Sequence, residues 1–266
     1  MNRLEGKVVI VTGSTSGIGI GIARLCAKEG AKVVICGRRE EKGLAVVNRI
    51  AEEGGEAWFH KMDITSTESI ESLFADVKEH FGKIDVLVNN AANVALKDGR
   101  VDQLTIEMWD AIFNSDMRGT FYATKCVLPY MIENGGGSII NIGSMASIAG
   151  DLGSTAYACA KAGVDMLTKD VALQYGKQNI RCNCIRPGLI VTPENDAHVP
   201  AFVKEIFLNN IEVNRYGCPE DIGAMAVFFA SDESAYVTGQ IINVDGGMNS
   251  HVPTVSEMKQ IGKKTW

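Results

Sequence analysis

A phenol and an ammonium stand four residues apart in Tyr157-Ala158-Cys159-Ala160-Lys161. Residues i and i+4 of a helix share one face about a turn apart, and Ala156, Ala158, Ala160, Ala162 and Leu167 favour helix here. Tyr157 and Lys161 then point at the same spot. A tyrosine hydroxyl is a poor proton donor or acceptor at neutral pH, and a nearby cation that stabilises the phenolate makes it fit for that work. Taken alone, the pair also fits an amphipathic helix with one packed tyrosine and one solvated lysine. Cys159 lies between them but faces away on the helix, and is expected to be packed.

The elements around the pair decide between those readings. Lys7 to Val11 is a β-branched run ending in Thr12-Gly13-Ser14-Thr15-Ser16-Gly17-Ile18-Gly19, after which Ile20 to Glu29 reads as a helix. In a strand, turn and helix of this kind, glycines let the backbone approach a pyrophosphate, whose charge is met by free amides at the helix N-terminus. A second strand, Lys32 to Cys36, ends in Gly37-Arg38-Arg39. An acidic residue here would grip the 2′-hydroxyl of NAD, whereas arginines suit the 2′-phosphate of NADP by charge and bidentate geometry. The same arginines could instead open a solvated helix with Glu40, Glu41 and Lys42.

Ala57 to Met62 reads as a third strand with Asp63-Ile64 at its exit. Asp63 could accept from an adenine amino group or, followed by Thr65 and Ser66, cap a helix. His60 and His80 have no metal-spaced partner and read as surface or packed imidazoles. Ile84 to Val88 is an apolar fourth strand of the kind buried in parallel sheets, leading into Asn89-Asn90-Ala91-Ala92, whose amides can brace neighbouring strands. A long helical region from Thr105 to about Glu133 is expected to break at Gly119 and Pro129, with Asn114 at a mid-helix position that costs propensity. Ser138 to Ile142 is a fifth strand, and it delivers Ser144 to the carboxyl edge of the sheet, where open α/β sheets bind ligands. Ile180 to Ile185 and Gly239 to Val244 supply the sixth and seventh strands, around a helix at Pro219 to Ser231.

This alternation predicts a doubly wound parallel α/β sheet of about seven strands, with helices on both faces, in one domain spanning 1–266. An insertion at about 190–213 holds Ile190, Val191, Val199, Phe202, Ile206 and Phe207. It could be a lid over a substrate, or simply pack on the core. The tail at about 248–266 either frays or closes a pocket.

The 266 residues carry a net charge of −6 and no long basic run, which disfavours nucleic-acid partners. No apolar run is long enough to span a membrane, and the first residues lead into a strand instead of a signal-peptide core, so a cytoplasmic location is expected. Seven scattered cysteines without Cys-x-x-Cys predict reduced, mostly packed thiols and no metal ligands.

The glycine turn, Asn89-Asn90-Ala91-Ala92, Asn114, Ser144, Tyr157-x-x-x-Lys161 and Pro187-Gly188 occur in an order that closely resembles the short-chain dehydrogenase/reductase family over about residues 5 to 247. Ala92 departs from the family's usual glycine and would narrow the cofactor site slightly. The resemblance implies a Rossmann fold and hydride transfer between a nicotinamide cofactor and a secondary alcohol or ketone, with no metal. Asn114, Ser144, Tyr157 and Lys161 would be catalytic. Tyr157 would move the proton, Lys161 would stabilise its phenolate and hold the nicotinamide ribose, Ser144 would bond the carbonyl, and Asn114 would hold a water linking Lys161 to solvent.

The resemblance further implies that the cofactor, NADP with NAD as second choice, lies against Gly13, Ser14, Thr15, Ser16, Gly17, Ile18 and Gly19. It would also meet Gly37, Arg38, Arg39, Asp63, Ile64, Asn90, Ala91, Tyr157, Lys161, Pro187, Gly188, Ile190 and Thr192. Within the family, Ala172-Leu173-Gln174-Tyr175, Asn179 to Asn183, Pro187 to Ile190 and a tail with Pro253-Thr254 and Glu257 are most similar to bacterial hydroxysteroid dehydrogenases acting on bile acids. A small steroid-like substrate and a homotetramer are thereby implied. Reduction of a 3-oxoacyl thioester or a general ketone remains open, as does, more remotely, a non-catalytic NADP sensor.

Overall fold

The computed structural model describes residues 2–92, 98–192, 196 and 199–262. Seven parallel strands form one sheet in the order β3-β2-β1-β4-β5-β6-β7. They are β1 (Val8–Val11), β2 (Lys32–Gly37), β3 (Glu56–Lys61), β4 (Val86–Asn89), β5 (Gly137–Ile142), β6 (Ile180–Pro187) and β7 (Ile241–Val244). The central strands are buried on both faces, which explains their nearly continuous Val/Ile runs. Val9 and Val11 face a core shared with α1 (Gly17–Lys28), α2 (Glu40–Glu52) and α8 (Pro219–Ala230). Val8 and Ile10 face the other core, against α3 (Thr67–Phe81), α5 (Gly119–Glu133) and α6 (Thr155–Tyr175).

The chain winds outward from β1 through β2 to β3, then returns to β4 on the opposite side of β1. The loops after β1 and β4 therefore diverge at a topological switch point, the crevice where such sheets take ligands. The backbones come close there: a Cβ on Gly13, whose φ is +66°, would stand 2.8 Å from the Ala91 Cα. On the far side of α1, a Cβ on Gly21 would stand 2.4 Å from Pro219, so that glycine lets α1 and α8 cross in near contact.

Three local expectations fail. The first helix opens at Gly17 instead of Ile20, because Gly17 itself makes the turn with a φ of +58°. Gly119 and Pro129 do not interrupt the long helix. A Cβ on Gly119 would meet the Ile64 side chain at 2.5 Å and its carbonyl at 2.8 Å, so glycine serves a close approach. Pro129 sits inside α5. Its missing N–H frees the Lys125 carbonyl on an exposed face, while Val127, Leu128 and Met131 anchor the helix in the core. The actual irregularity is a π-turn at Asn114–Arg118 between α4 (Ile106–Phe113) and α5. Such a turn adds one residue per loop of backbone and commonly marks functional places in helices.

The insertion after β6 contains α7 (Ala201–Asn210), and the tail forms α9 (Val255–Gly262). Lys259 bonds Glu212 at 2.7 Å and the His251 Nε2 lies 2.9 Å from the Asn210 carbonyl, so the tail docks on the insertion. Residues 193–195 and 197–198 of that insertion, and Lys263 and Lys264 of the tail, lie outside the described residues. No helix among those described is long and apolar enough to cross a membrane.

Candidate active site

Every strand of the sheet ends on the same edge, and the singled-out residues gather there. Thr12, at the end of β1, accepts through its hydroxyl from the backbone N–H groups of Asn90 and Ala91, both at 3.0 Å. The Asn90 amide donates back to the Thr12 and Gly13 carbonyls at 2.9 and 3.2 Å. Asn89 bonds Thr124 and Asn141, and Asn141 bonds Thr168, giving a buried polar row from α5 through β4 and β5 to α6. The adjacent amides thus brace the strands that carry the site.

Within the glycine turn, roles divide. Ser14 is fully buried; its hydroxyl donates to the Val11 carbonyl at 2.7 Å and accepts from the Cys36 N–H at 3.0 Å. Its side chain is a brace between β1 and β2. Thr15 packs on Gly37, where a Cβ would stand 2.6 Å from the threonine methyl. Ser16 precedes α1 without a side-chain cap, no acidic residue stands in the first turn, and a Cβ on Gly17 would meet nothing within 4 Å. The first amides of α1 thus open onto free space, a setting that suits an anion.

Arg38 and Arg39 are exposed at the end of β2 and form no ion pair among the described residues. The Asp63 carboxyl accepts from the Thr65 N–H at 3.0 Å and from its hydroxyl at 2.8 Å, while Ser66 caps α3. Burial pushes the Asp63 carboxyl up, but these two bonds and the charge of Arg38 outweigh it and hold it below the usual carboxylate range. His60 packs beside Trp58 and lies 2.7 Å from Asp76, and His80 stacks on the Trp58 ring at 4.6 Å. His60 is half-buried, and His80 is a surface imidazole resting on the indole.

On α6, Tyr157 and Lys161 face the sheet edge together. Lys161 is 3% exposed, donates from Nζ to the Ile142 carbonyl at 2.9 Å, and stands 5.6 Å from the centre of the Tyr157 ring. The bond to Ile142, the last residue of β5, is what turns a nominally solvated lysine inward. Ser144 follows two residues later and its Oγ accepts the Ala146 N–H at 3.1 Å, leaving the hydroxyl proton free to donate. Among the described residues, no hydrogen bond joins Asn114 to this pair. Its amide oxygen accepts from Arg118 at 3.0 Å, beside an outer groove of about 740 Å³ lined by Phe113, Met117 and Phe121. Cys159 does face away, as its angular offset requires, but it is exposed and not packed, because no element among the described residues covers it.

Pro187-Gly188 closes against the turn after β7: a Cβ on Gly188 would stand 2.7 Å from the Asp245 Cα. Ile190 is buried in the core near Gly217 and Thr192 is buried as well, so the first part of the insertion packs inward. Phe202 and Ile206 on α7 are exposed, and Phe207 is half-buried.

Sequence reasoning missed two features here. Asp165, one turn beyond Lys161, forms a buried ion pair with Arg186 at 2.6 Å and accepts from the Cys184 thiol at 3.4 Å. The i+4 spacing from Lys161 was the available signal. Asp98, from the loop after β4, accepts the backbone N–H groups of Ala156 and Tyr157 at 3.2 and 2.8 Å. Among the described residues, no group of three or more His, Cys, Asp or Glu stands close enough to hold a metal.

Residues 13–249 match the family model described as enoyl-(acyl carrier protein) reductase. The chain is 37% identical over 257 residues to the 7alpha-hydroxysteroid dehydrogenase of Bacteroides fragilis, covering 96% of this chain and 99% of that one. It is 39% identical over 246 residues to the 3-oxoacyl-(acyl-carrier-protein) reductase of Thermotoga maritima, covering 92% and 99%. Among solved structures, a 7 alpha-hydroxysteroid dehydrogenase complexed with NADH and 7-oxo glycochenodeoxycholic acid superposes with a TM-score of 0.88 at 33% identity, covering 92% of this chain and 95% of that one.

Proposed function

Within the short-chain dehydrogenase/reductase family, to which this chain belongs, we propose that it oxidises a secondary alcohol or reduces the matching ketone, with a hydroxysteroid such as a bile acid as substrate. The observation that carries the reaction is Lys161, buried at the Tyr157 ring beside Ser144 on the carboxyl edge of the sheet. A nicotinamide dinucleotide, when bound, would supply the hydride acceptor or donor. The open amides of α1 and the close Gly13 and Ala91 backbones fit its pyrophosphate, and Arg38 beside Asp63 fits its adenosine end.

In oxidation, Tyr157 takes the proton of the substrate hydroxyl as the carbon gives up hydride. In reduction it returns that proton to the carbonyl oxygen. Ser144 donates its hydroxyl proton to the same oxygen and fixes its position. Lys161 spends one N–H on Ile142 and keeps two, for the tyrosine and the cofactor ribose. Asn114 would hold a water on the path from Lys161 to solvent, a role implied by the family resemblance; its amide oxygen accepts from Arg118 and its backbone carbonyl from the Gly119 N–H.

The steroid reading is supported by apolar side chains left open around the site. Ile148 and Leu152 stand exposed between Ser144 and Tyr157, and Phe202 and Ile206 stand exposed on α7. Together they suit a rigid apolar ring system. The assembly we propose is a homotetramer, to which exposed Phe121, Met166 and Leu173 would contribute apolar surface.

Purified protein should oxidise at least one positional isomer in a panel of hydroxylated bile acids faster than it reduces an acetoacetyl thioester. Turnover of the thioester alone would refute the steroid assignment. NADP is the preferred cofactor in this reading, because the exposed guanidinium groups of Arg38 and Arg39 follow β2 where a 2′-phosphate would be met. Replacing Arg38 and Arg39 by alanine should raise the KM for NADP by roughly 10- to 100-fold, the worth of charge-assisted hydrogen bonds, and barely move that for NAD. An equal loss for both cofactors would remove the arginines from phosphate recognition.

A further inference from the structure

The first turn of α6 lacks the cap its own sequence could have provided. Ser154 occupies the cap position without a side-chain hydrogen bond, and no acidic residue follows in the first turn. The Asp98 carboxylate fills that place from 58 residues away. One oxygen accepts the Ala156 N–H at 3.2 Å and the other accepts the Tyr157 N–H at 2.8 Å. The Gly99 N–H closes onto the first oxygen at 2.7 Å, which fixes the carboxylate's own orientation. Next to it, the Thr155 hydroxyl donates to the Gly99 carbonyl at 2.7 Å. Two backbone donors and one hydroxyl from the start of α6 are thus held by Asp98-Gly99.

We propose that Asp98 is a positioning residue for Tyr157, a carboxylate latch that fixes the first turn of α6 and so the direction of the phenol. The proposal rests on the reading of Tyr157 as the proton-transfer group. Tyr157 is the third residue of α6, within the turn whose backbone donors have no partner inside the helix. A tyrosine so close to a helix end follows any fraying of that end. Lys161, a turn further in, is separately pinned to Ile142, so loss of the latch displaces one member of the pair relative to the other. Misplacement of a reacting group by about 1 Å can cost on the order of 100-fold in rate. A negative charge at a helix N-terminus is also favoured by the helix dipole, which explains a carboxylate in place of a serine.

Most of α6 does not depend on the latch. The helix runs 21 residues and buries Ala160, Val164, Val171 and Ala172 in the cores. Asp98→Ala should therefore lower the melting temperature by no more than about 4 °C, the scale of one lost cap in a chain of this size.

The test compares wild type with Asp98→Ala, Asp98→Asn, Thr155→Val and Tyr157→Phe, using the bile acid oxidised fastest in the panel above. Asp98→Ala is expected to reduce kcat about 10- to 100-fold, leave the dissociation constant of the nicotinamide cofactor within about two-fold, and speed amide exchange of the 154–160 segment. Asp98→Asn keeps an acceptor for Tyr157 and should return kcat to within about five-fold of wild type. Thr155→Val, which removes the second link without touching a charge, should cost about two- to five-fold. The latch is overturned if kcat of Asp98→Ala stays within two-fold of wild type, if its loss is matched by lost cofactor affinity or folding, or if the asparagine variant is as slow as the alanine one. An active Tyr157→Phe variant, or a wild type that oxidises nothing, brings down the underlying assignment instead, and the latch with it.

Discussion

Tyr157→Phe is expected to lower kcat by about 10²- to 10⁴-fold, the range that a positioned general acid or base contributes. The change removes one oxygen and little else. The ring packs against Ile112, Ala156 and Ala160, contacts that phenylalanine keeps, so the fold should be unaffected. Lys161 is held by the Ile142 carbonyl whether or not a phenol is present, so the cofactor's ribose partner also stays in place. The signature is therefore specific: kcat and kcat/KM fall together, while the cofactor dissociation constant measured by nicotinamide fluorescence stays nearly constant. Near wild-type turnover in this variant would show that the proton leaves by another group, and the candidate site would have to be redrawn. Loss of cofactor binding with loss of turnover would assign Tyr157 to binding instead.

Much of this site was legible because its logic is local. Tyr157 and Lys161 follow from a four-residue spacing, and the glycine turn from the strand before it and the helix after it. The sheet was legible because β-branched runs buried on both faces leave a continuous apolar mark. The errors arose where a residue's partner is remote. The hydroxyl of Ser14 bonds Val11 and Cys36, and no local pattern shows which way a small hydroxyl turns. Gly119 has the composition of a breaker and the function of a contact surface for Ile64. The π-turn at Asn114 changes backbone winding without changing residue propensities, so nothing in the sequence marks it. Cys159 shows the same limit: periodicity gave its direction correctly, but only the tertiary structure says that it lies exposed. Asp98 reaches Tyr157 across 59 residues, beyond any local pattern.

The Asp165–Arg186 pair carries the largest expected effect on stability. Both Nε and Nη2 of Arg186 bond one oxygen of Asp165, at 3.1 and 2.6 Å, and the other oxygen takes the Cys184 thiol. The side chains are only 8% and 16% exposed, which sets this pair apart from surface pairs such as Lys7–Asp232 that contribute little. Burial also pushes the Cys184 thiol far up, with the nearby Asp165 carboxylate adding to the shift, so the thiol stays protonated and able to donate. Asp165→Ala leaves a buried guanidinium without its partner and should cost about 3–5 kcal/mol. That is a large share of the roughly 5–15 kcal/mol that holds a domain together. The double variant Asp165→Leu with Arg186→Met removes both charges at similar volume, and should recover most of the loss, because the desolvation cost disappears along with the attraction. Denaturant unfolding of Asp165→Leu, Arg186→Met and the double variant measures the coupling directly. A cost below about 1 kcal/mol for Asp165→Ala would mean that Arg186 reaches water and that the pair behaves like an exposed one. The location gives the pair a second consequence. It ties α6, one turn after Lys161, to β6 immediately before Pro187-Gly188, so a double variant that folds well but turns over slowly would show that the charges set the spacing between these two walls of the site, beyond what they add to stability.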